Sequence, residues 1–283
     1  MDQRTFSLPK RQPRSAETTK APRKGRSEIG NQSLIRGLRI LESYTSSKQS
    51  WGVRELGRSL EINAATTYRL VSTLADRGYL EKNPDTQKYH LGPKVVQLAA
   101  NYSMQNSLIE ISLRVFAKYE AQFPYNFYVG VMGPEDVTYI AVYESRGPLK
   151  ITTEVGQSVN LYSSALGRLL LSYESDEFIE KLLARKPIEK ITPLSLTSQK
   201  ELMRQIRQIR KNGYAVNRGE IYEEIAAVAT PITGGNGTVV AGVALCFPLH
   251  YLEIKKVDLE EIIRLARIIA DEISSANRST VIK

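Results

Sequence analysis

Residues 51–92, WGVRELGRSLEINAATTYRLVSTLADRGYLEKNPDTQKYHLG, read in order as two short helices, a tight turn and a hairpin, the layout of a winged helix-turn-helix. Val53, Leu56 and Leu60 fall at i, i+3 and i+7, one apolar face on a helix of about two turns. The pattern breaks at Glu61, Ile62 and Asn63. Asn63 is a good N-cap, and from Ala64 the apolar positions Tyr68, Leu70, Val71 and Leu74 resume a helical period that stops at Gly78, a C-cap residue. This second helix is the candidate recognition helix. Asn63, Ala64, Ala65, Thr66 and Thr67 bring small and hydroxylated side chains to base edges, Tyr68 follows, and Arg69 is placed to meet a phosphate. A strand from Tyr79 and Leu80, turn chemistry at Asn83, Pro84 and Asp85, and a return through Lys88, Tyr89, His90 and Leu91 make the wing. Lys82 and Lys88 flank its turn as further DNA contacts. Any small three-helix unit with a hairpin could carry such a pattern, but here pattern, spacing and charge agree on DNA.

The whole chain is basic, with 39 Lys and Arg against 30 Asp and Glu in 283 residues. That length suits about two domains, each with its own core. Net charge favours a polyanionic partner, and its location is informative. Met1 to Glu28 holds eight basic residues against three acidic ones, with Pro9, Pro13 and Pro22 and few apolar side chains. A segment of that composition cannot offset its ordering entropy, so residues 1–28 are expected to be a disordered basic arm, either lying along DNA or simply solvated. The single cysteine, Cys246, excludes a disulfide within the chain and favours a reducing compartment. No apolar run is long enough for a membrane span or a signal peptide core, so a cytoplasmic location is expected. The two histidines, His90 and His250, lie in no metal-binding spacing, and neither a metal nor a cofactor is expected.

Around the winged helix, Ser33 can cap a first helix through Leu34, Leu38, Ile40 and Leu41 that ends near Thr45 to Ser47. Pro93 opens a helix carrying Val95, Val96, Leu98 and Ala99, read as an interdomain linker over residues 93–107. A further helix, Leu108 to Gln122, places Ile111, Val115 and Tyr119 on one face. These two helices are the natural dimer surface. From Asn126 the texture turns to strands: Phe127 to Val131 and Val137 to Tyr143 around a Gly133-Pro134-Glu135-Asp136 turn, then Tyr214 to Val216, Ile225 to Ile232 and Val239 to Phe247. Helices are expected at Leu161 to Ser172, entered through Ser163 and Ser164, at Ser198 to Lys211 and at Val257 to Ser275. The expected class is α+β, with a winged helix-turn-helix at 29–92, a linker helix, and a mixed-sheet domain at 108–283.

With these elements in place, the chain resembles the IclR family of bacterial transcription regulators from about Ser33 onward. The likeness rests on Leu56, Thr66, Arg69, Leu74, Arg77-Gly78-Tyr79-Leu80, Asp85 and Tyr89-His90-Leu91-Gly92. It continues through Val155-Gly156, Leu161-Tyr162-Ser163-Ser164-Ala165-Leu166-Gly167-Arg168, Gly213-Tyr214, Ala229-Thr230-Pro231-Ile232 and Val240-Ala241-Gly242. The resemblance implies a GAF-like effector-binding domain behind the winged helix, self-association as a dimer or a dimer of dimers, and a small-metabolite effector. It also implies that the backbone amides of Ala165 and Leu166 receive the effector's carboxylate, within the stretch Tyr162, Ser163, Ser164, Ala165, Leu166 and Gly167, which suits the anion affinity of helix starts.

The chain departs from that pattern where polar partners are usual. Asn217, Ala227, Ala244 and Cys246 occupy positions that the resemblance gives to an acidic residue, a cysteine and two serines, and Tyr162 replaces a histidine. Glu224 replaces a glycine and is read as a solvent-facing strand end. Cys246 is read as a small buried hydrophobe, because a buried thiol without a basic neighbour is inert. An aromatic or otherwise largely apolar carboxylate is therefore expected as effector, since a buried unpaired hydroxyl costs about 1–3 kcal/mol. The leading function is a ligand-controlled regulator, a repressor of a catabolic operon, that binds double-stranded operator DNA and no membrane. An architectural DNA-binding protein without a ligand is one alternative. An enzyme localised by its basic domain is another, but the C-terminal half lacks a Gly-x-Ser-x-Gly elbow, a phosphate loop and a histidine beside a nucleophile.

Overall fold

The computed structural model describes residues 31–105, 107–119, 123, 125–144, 153–254 and 257–281. The basic arm expected at 1–28 lies outside them. The described chain falls into two compact units that divide after Gln105.

In the first unit, α1 (Gln32–Glu42) starts from Asn31 rather than Ser33, because the Asn31 side chain accepts hydrogen bonds from the Ser33 and Leu34 amides. It ends at Glu42, short of the expected Thr45. Two further helices, α2 (Val53–Ser59) and α3 (Ala64–Asp76), meet at a turn in which Glu61 takes a positive φ of 56° and Asn63 Oδ1 accepts the Thr66 amide at 2.9 Å. The wing pairs β1 (Leu80–Lys82) with β2 (Tyr89–Leu91), Leu80 opposite Leu91, and Trp51 bridges to Tyr89 on the other side of β2. Asn83 Oδ1 holds the wing's turn by accepting the Asp85 and Thr86 amides. Ile40, Leu56, Val71, Leu80 and Tyr89 close the core of this unit. The last helix, α4 (Pro93–Gln105), buries none of its described side chains, and Val96 and Met104 are 69% and 85% exposed.

The second unit is a six-stranded sheet between two layers of helices. Its strands are β3 (Asn126–Met132), β4 (Asp136–Tyr143), β5 (Ser158–Asn160), β6 (Ala215–Arg218), β7 (Ile225–Thr233) and β8 (Val239–Pro248), in the spatial order β5-β4-β3-β8-β7-β6. Every pairing among the described strands is antiparallel, so the sheet is not the mixed one expected. The two hairpins, β3-β4 and β7-β8, impose that direction because short connections join only antiparallel neighbours. One face carries Phe127, Val129, Val228, Val243, Leu245 and Phe247 under α5 (Ser107–Tyr119) and α10 (Leu259–Val281). The other carries Tyr128, Ala215, Ala227, Ala229 and Ala244 under α6 (Ala165–Leu171), α7 (Asp176–Arg185) and α8 (Gln199–Asn212). A single turn of helix, α9 (His250–Glu253), follows β8. Helix α7 and strand β5 were not anticipated. The start of α7 was nevertheless legible in Ser175, which caps the Phe178 amide ahead of Asp176 and Glu177 in the first turn.

Size explains how closely α6 approaches the sheet. A Cβ on Gly242 would come within 2.7 Å of Leu166 and 3.0 Å of Leu169, and one on Gly130 within 3.2 Å of Leu166. Two glycines therefore make room for two leucines. No described helix is long and apolar enough to cross a membrane.

Candidate DNA-binding and effector sites

The start of α3 is the exposed feature of the first unit. Asn63, Ala64, Ala65, Tyr68 and Arg69 are exposed and Thr66 is half-buried. Thr67 is not on this surface. It is fully buried, and its hydroxyl donates to the Asn63 carbonyl at 3.0 Å. Tyr68, counted both in the helical period and among the DNA-facing residues, is 60% exposed. The inner stripe of α3 is Thr67, Leu70, Val71 and Leu74, at i, i+3, i+4 and i+7, and a tyrosine one step round the helix from Thr67 falls outside it. Tyr68 thus stands beside Arg69 among the exposed groups of α3. Lys82 and Lys88 are exposed on either side of the wing's turn, where Asn83 and Lys88 pair through a 2.8 Å backbone hydrogen bond.

In the second unit, register places several predicted effector residues in one line. Asn217 on β6 pairs with Ala227 on β7, Ala227 with Cys246 on β8, and Cys246 with Asn126 on β3. Ala215, Ala229, Ala244 and Tyr128 form the parallel row behind it. Ala227 keeps 9% exposure and Cys246 is half-buried, whereas Ala229 and Ala244 in the row behind are sealed under α6. Cys246 is thus the part-exposed member of the front row, in which Asn217, Ala227 and Asn126 are buried.

The segment leading into α6 stands over one end of that row. Asn160 Oδ1 accepts the Tyr162 and Ser163 amides at 2.8 and 3.0 Å, and Ser164 Oγ caps the Gly167 amide at 2.7 Å. Asn217 Nδ2 donates to the Ser163 carbonyl, tying the segment to β6. The Ala165 and Leu166 amides make no hydrogen bond among the described residues. Ser163 is fully buried and its hydroxyl has no partner. Tyr162 is turned away from the row, its hydroxyl donating to the Lys186 carbonyl at 2.9 Å, and its pKa is raised to about 12 by desolvation and then by Glu135. Behind the segment, fully buried Arg168 gives Nη1 and Nη2 to the two Glu220 carboxylate oxygens at 2.7 and 2.5 Å, and Nη2 also to the Val216 carbonyl at 2.8 Å.

Aromatic groups occupy the other end of the row, where none was expected. Tyr128 and Tyr139 pack with ring centroids 5.1 Å apart and planes tilted by 36°. Asn126 Nδ2 donates to Tyr128 Oη at 3.0 Å. Desolvation lifts the Tyr139 phenol well above its ordinary value, with nearby Cys246, Tyr128 and Tyr222 adding to the shift. Burial likewise pushes the Cys246 thiol up to about 12. All of these groups therefore stay protonated at neutral pH and can donate hydrogen bonds. The signal for this cluster was the period of two along Asn126-Phe127-Tyr128-Val129, which sends the two polar-tipped residues to the same face. Glu224 is exposed, as expected of a strand end.

Residues 33–84 match the family model of the IclR helix-turn-helix domain, and residues 104–275 match that of the bacterial transcriptional regulator IclR C-terminal domain. The chain is 24% identical over 246 residues to the HTH-type transcriptional regulator KdgR of Escherichia coli K12, covering 86% of this chain and 91% of that one. It is 22% identical over 236 residues to the HTH-type transcriptional repressor AllR of the same strain, covering 83% of this chain and 87% of that one. Its fold is similar to the crystal structure of an IclR homologue from Microbacterium hydrocarbonoxydans complexed with 4-hydroxybenzoate, with a TM-score of 0.74, 22% identity, and 88% and 100% of the two chains covered.

Proposed function

We propose, from the premise that this chain belongs to the IclR family of bacterial transcriptional regulators, that it is a repressor of a catabolic operon released or set by an aromatic carboxylate. It is a DNA-binding, ligand-responsive regulator and not an enzyme, like the relatives named transcriptional regulators. Repression is supported by the likeness to a relative named a repressor.

The observation that carries the effector reading is the row Asn217-Ala227-Cys246-Asn126, small in the middle and bounded by the lead into α6 at one end and by tyrosines at the other. The Ala165 and Leu166 amides suit an anionic head, and the tyrosine pair suits a ring, through offset or edge contacts between aromatic faces. A structural neighbour holding 4-hydroxybenzoate is consistent with that chemistry. On the DNA side, Asn63, Ala64, Ala65, Thr66 and Tyr68 are proposed to face bases, with Arg69, Lys82 and Lys88 on phosphates. Thr67 acts from beneath, holding the turn. The apolar side chains exposed on α4 are proposed to be covered in a dimer or dimer of dimers, which would present two recognition helices to a pseudo-palindromic operator. A cytoplasmic location follows from that role.

The test is operator binding by the full chain, measured by fluorescence anisotropy, with benzoate-type acids, small keto acids and sugar acids added in turn. Aromatic acids are expected to shift the operator affinity. A response to sugar acids alone would overturn the effector assignment.

A further inference from the structure

We propose that the exposed start of α3 recognises thymine by its 5-methyl group, and that the Tyr68 ring is the main reader. The proposal rests on the reading of α3 as the helix that enters the major groove, and adds which feature of the bases it selects.

The hydrogen-bonding side chains along this part of α3 are turned back onto the helix. Asn63 Oδ1 accepts the Thr66 amide at 2.9 Å, and Thr67, fully buried, donates its hydroxyl to the Asn63 carbonyl at 3.0 Å. One turn further on, Thr73 Oγ1 donates to the Arg69 carbonyl at 2.8 Å. An asparagine held as a cap is not free to swing out the paired acceptor and donor with which Asn reads adenine. What faces outward is mostly carbon. Ala64, Ala65 and Tyr68 are all exposed. Tyr68 follows the two alanines at i+4 and i+3, so the three share one face of the helix. Long side chains on a helix lean towards its start, which brings the ring over the turn that carries the two methyl groups. The result is one apolar patch at the end of a recognition helix that meets base edges.

Thymine is the base that adds a methyl group to the donors and acceptors of the major groove, and alanine methyls and aromatic rings are suited to cover it. Burying that methyl gains free energy without a hydrogen bond, whereas an adenine or cytosine edge against the same patch would lose water and find no partner. Arg69 is the only basic residue of α3 and lies one step round the helix from Tyr68. Arginine can read guanine through O6 and N7, and the experiment separates that mode from the methyl contact.

The full chain first selects duplexes from a random-sequence pool. The enriched duplex is then remade with deoxyuridine at one thymine at a time, which removes only the methyl, or with 7-deazaguanine at each guanine, which removes only N7. Affinities are measured by fluorescence anisotropy for the natural protein, Tyr68→Ala and Tyr68→Phe. At least one thymine in each half-site is expected to show a loss of about fourfold on conversion to deoxyuridine, the scale of one buried methyl group. Tyr68→Ala should erase that loss at the thymine under the ring, and Tyr68→Phe should keep it. A merely structural role for Tyr68 would weaken every duplex alike and leave the deoxyuridine loss in place. No loss at any thymine, a loss that persists in Tyr68→Ala, or a loss confined to 7-deazaguanine overturns the proposal and leaves DNA binding standing. Enrichment of no sequence overturns both.

Discussion

Glu220→Ala tests how the second unit is held together behind its site. Arg168 has no exposed surface, and its two terminal nitrogens are committed to the Glu220 carboxylate and the Val216 carbonyl, while Nε has no partner. Removing the carboxylate strands a guanidinium charge in the core with one carbonyl for company. Breaking a buried pair in this way costs about 3–5 kcal/mol, against about 5–15 kcal/mol for the stability of a typical domain. Replacing both partners, as in Arg168→Met with Glu220→Leu, should recover most of the loss, since a packed apolar pair is often as stable as the ions it replaces. Urea denaturation separates the two units. Trp51 is the only tryptophan and sits against the core of the first unit, so its fluorescence follows that unit while far-ultraviolet circular dichroism follows both. At an m value of about 2 kcal/mol/M, a loss of about 4 kcal/mol moves the midpoint by about 2 M. The expected result is that shift in the dichroism that is not mirrored by Trp51, with the Trp51 transition unmoved. A shift under about 0.5 M would match an exposed ion pair and refute the reasoning.

In the first unit, Arg69→Ala should weaken binding to all DNA sequences and reduce the salt slope by about one, whereas Thr66→Ala should change base preference with little change in slope, as footprinting over a salt series would show. Thr67→Ala should lower the Trp51 unfolding midpoint by an amount worth about 1–2 kcal/mol and leave base preference alone, because its hydroxyl serves the Asn63 carbonyl and its methyl the core. An altered preference at unchanged stability would put Thr67 on the DNA instead. Deleting residues 1–28 should reduce affinity mainly at low salt, and an unchanged low-salt affinity would make the arm a solvated tail. Val96→Glu combined with Met104→Glu should shift sedimentation towards a slower species and loosen operator binding, since both side chains stand exposed on α4.

The first unit was legible because its signals are local. Asn63 and the wing's Asn83 each accept amides within a few residues, Gly78 turns the chain off α3 at a positive φ, and apolar spacing alone orients α2 and α3. Thr67 misled for a physical reason: polar by composition, it fits the inner stripe by burying its methyl and returning its hydroxyl to the backbone, while amphipathic Tyr68 stays on the exposed side. The second unit is assembled from contacts distant in sequence. Arg168 meets Glu220 52 positions away and Asn217 meets the Ser163 carbonyl 54 positions away, and no periodicity announces either. The aromatic pair joins Tyr128 of β3 to Tyr139 of β4.

That assembly alters how the alanines of the site are understood. Read along the chain, Ala227 and Ala244 look like lost polar groups, and they favour an apolar ligand. On the sheet they lie on the face that α6 approaches most closely, where glycines at 130 and 242 already make room for leucines. Small residues there set volume: Ala244 lets α6 settle, and Ala227 keeps the neighbouring row shallow. The opposite face, built from Phe127, Val129, Leu245 and Phe247, carries larger side chains packed under α5 and α10. Polarity then enters at the ends of the row, through Ser163 and Asn217 on one side and Asn126 and Tyr128 on the other. A ligand that is flat and apolar in the middle and polar at its two ends matches that distribution, whereas a fully hydroxylated chain would bury its central hydroxyls against Ala227 at about 1–3 kcal/mol each.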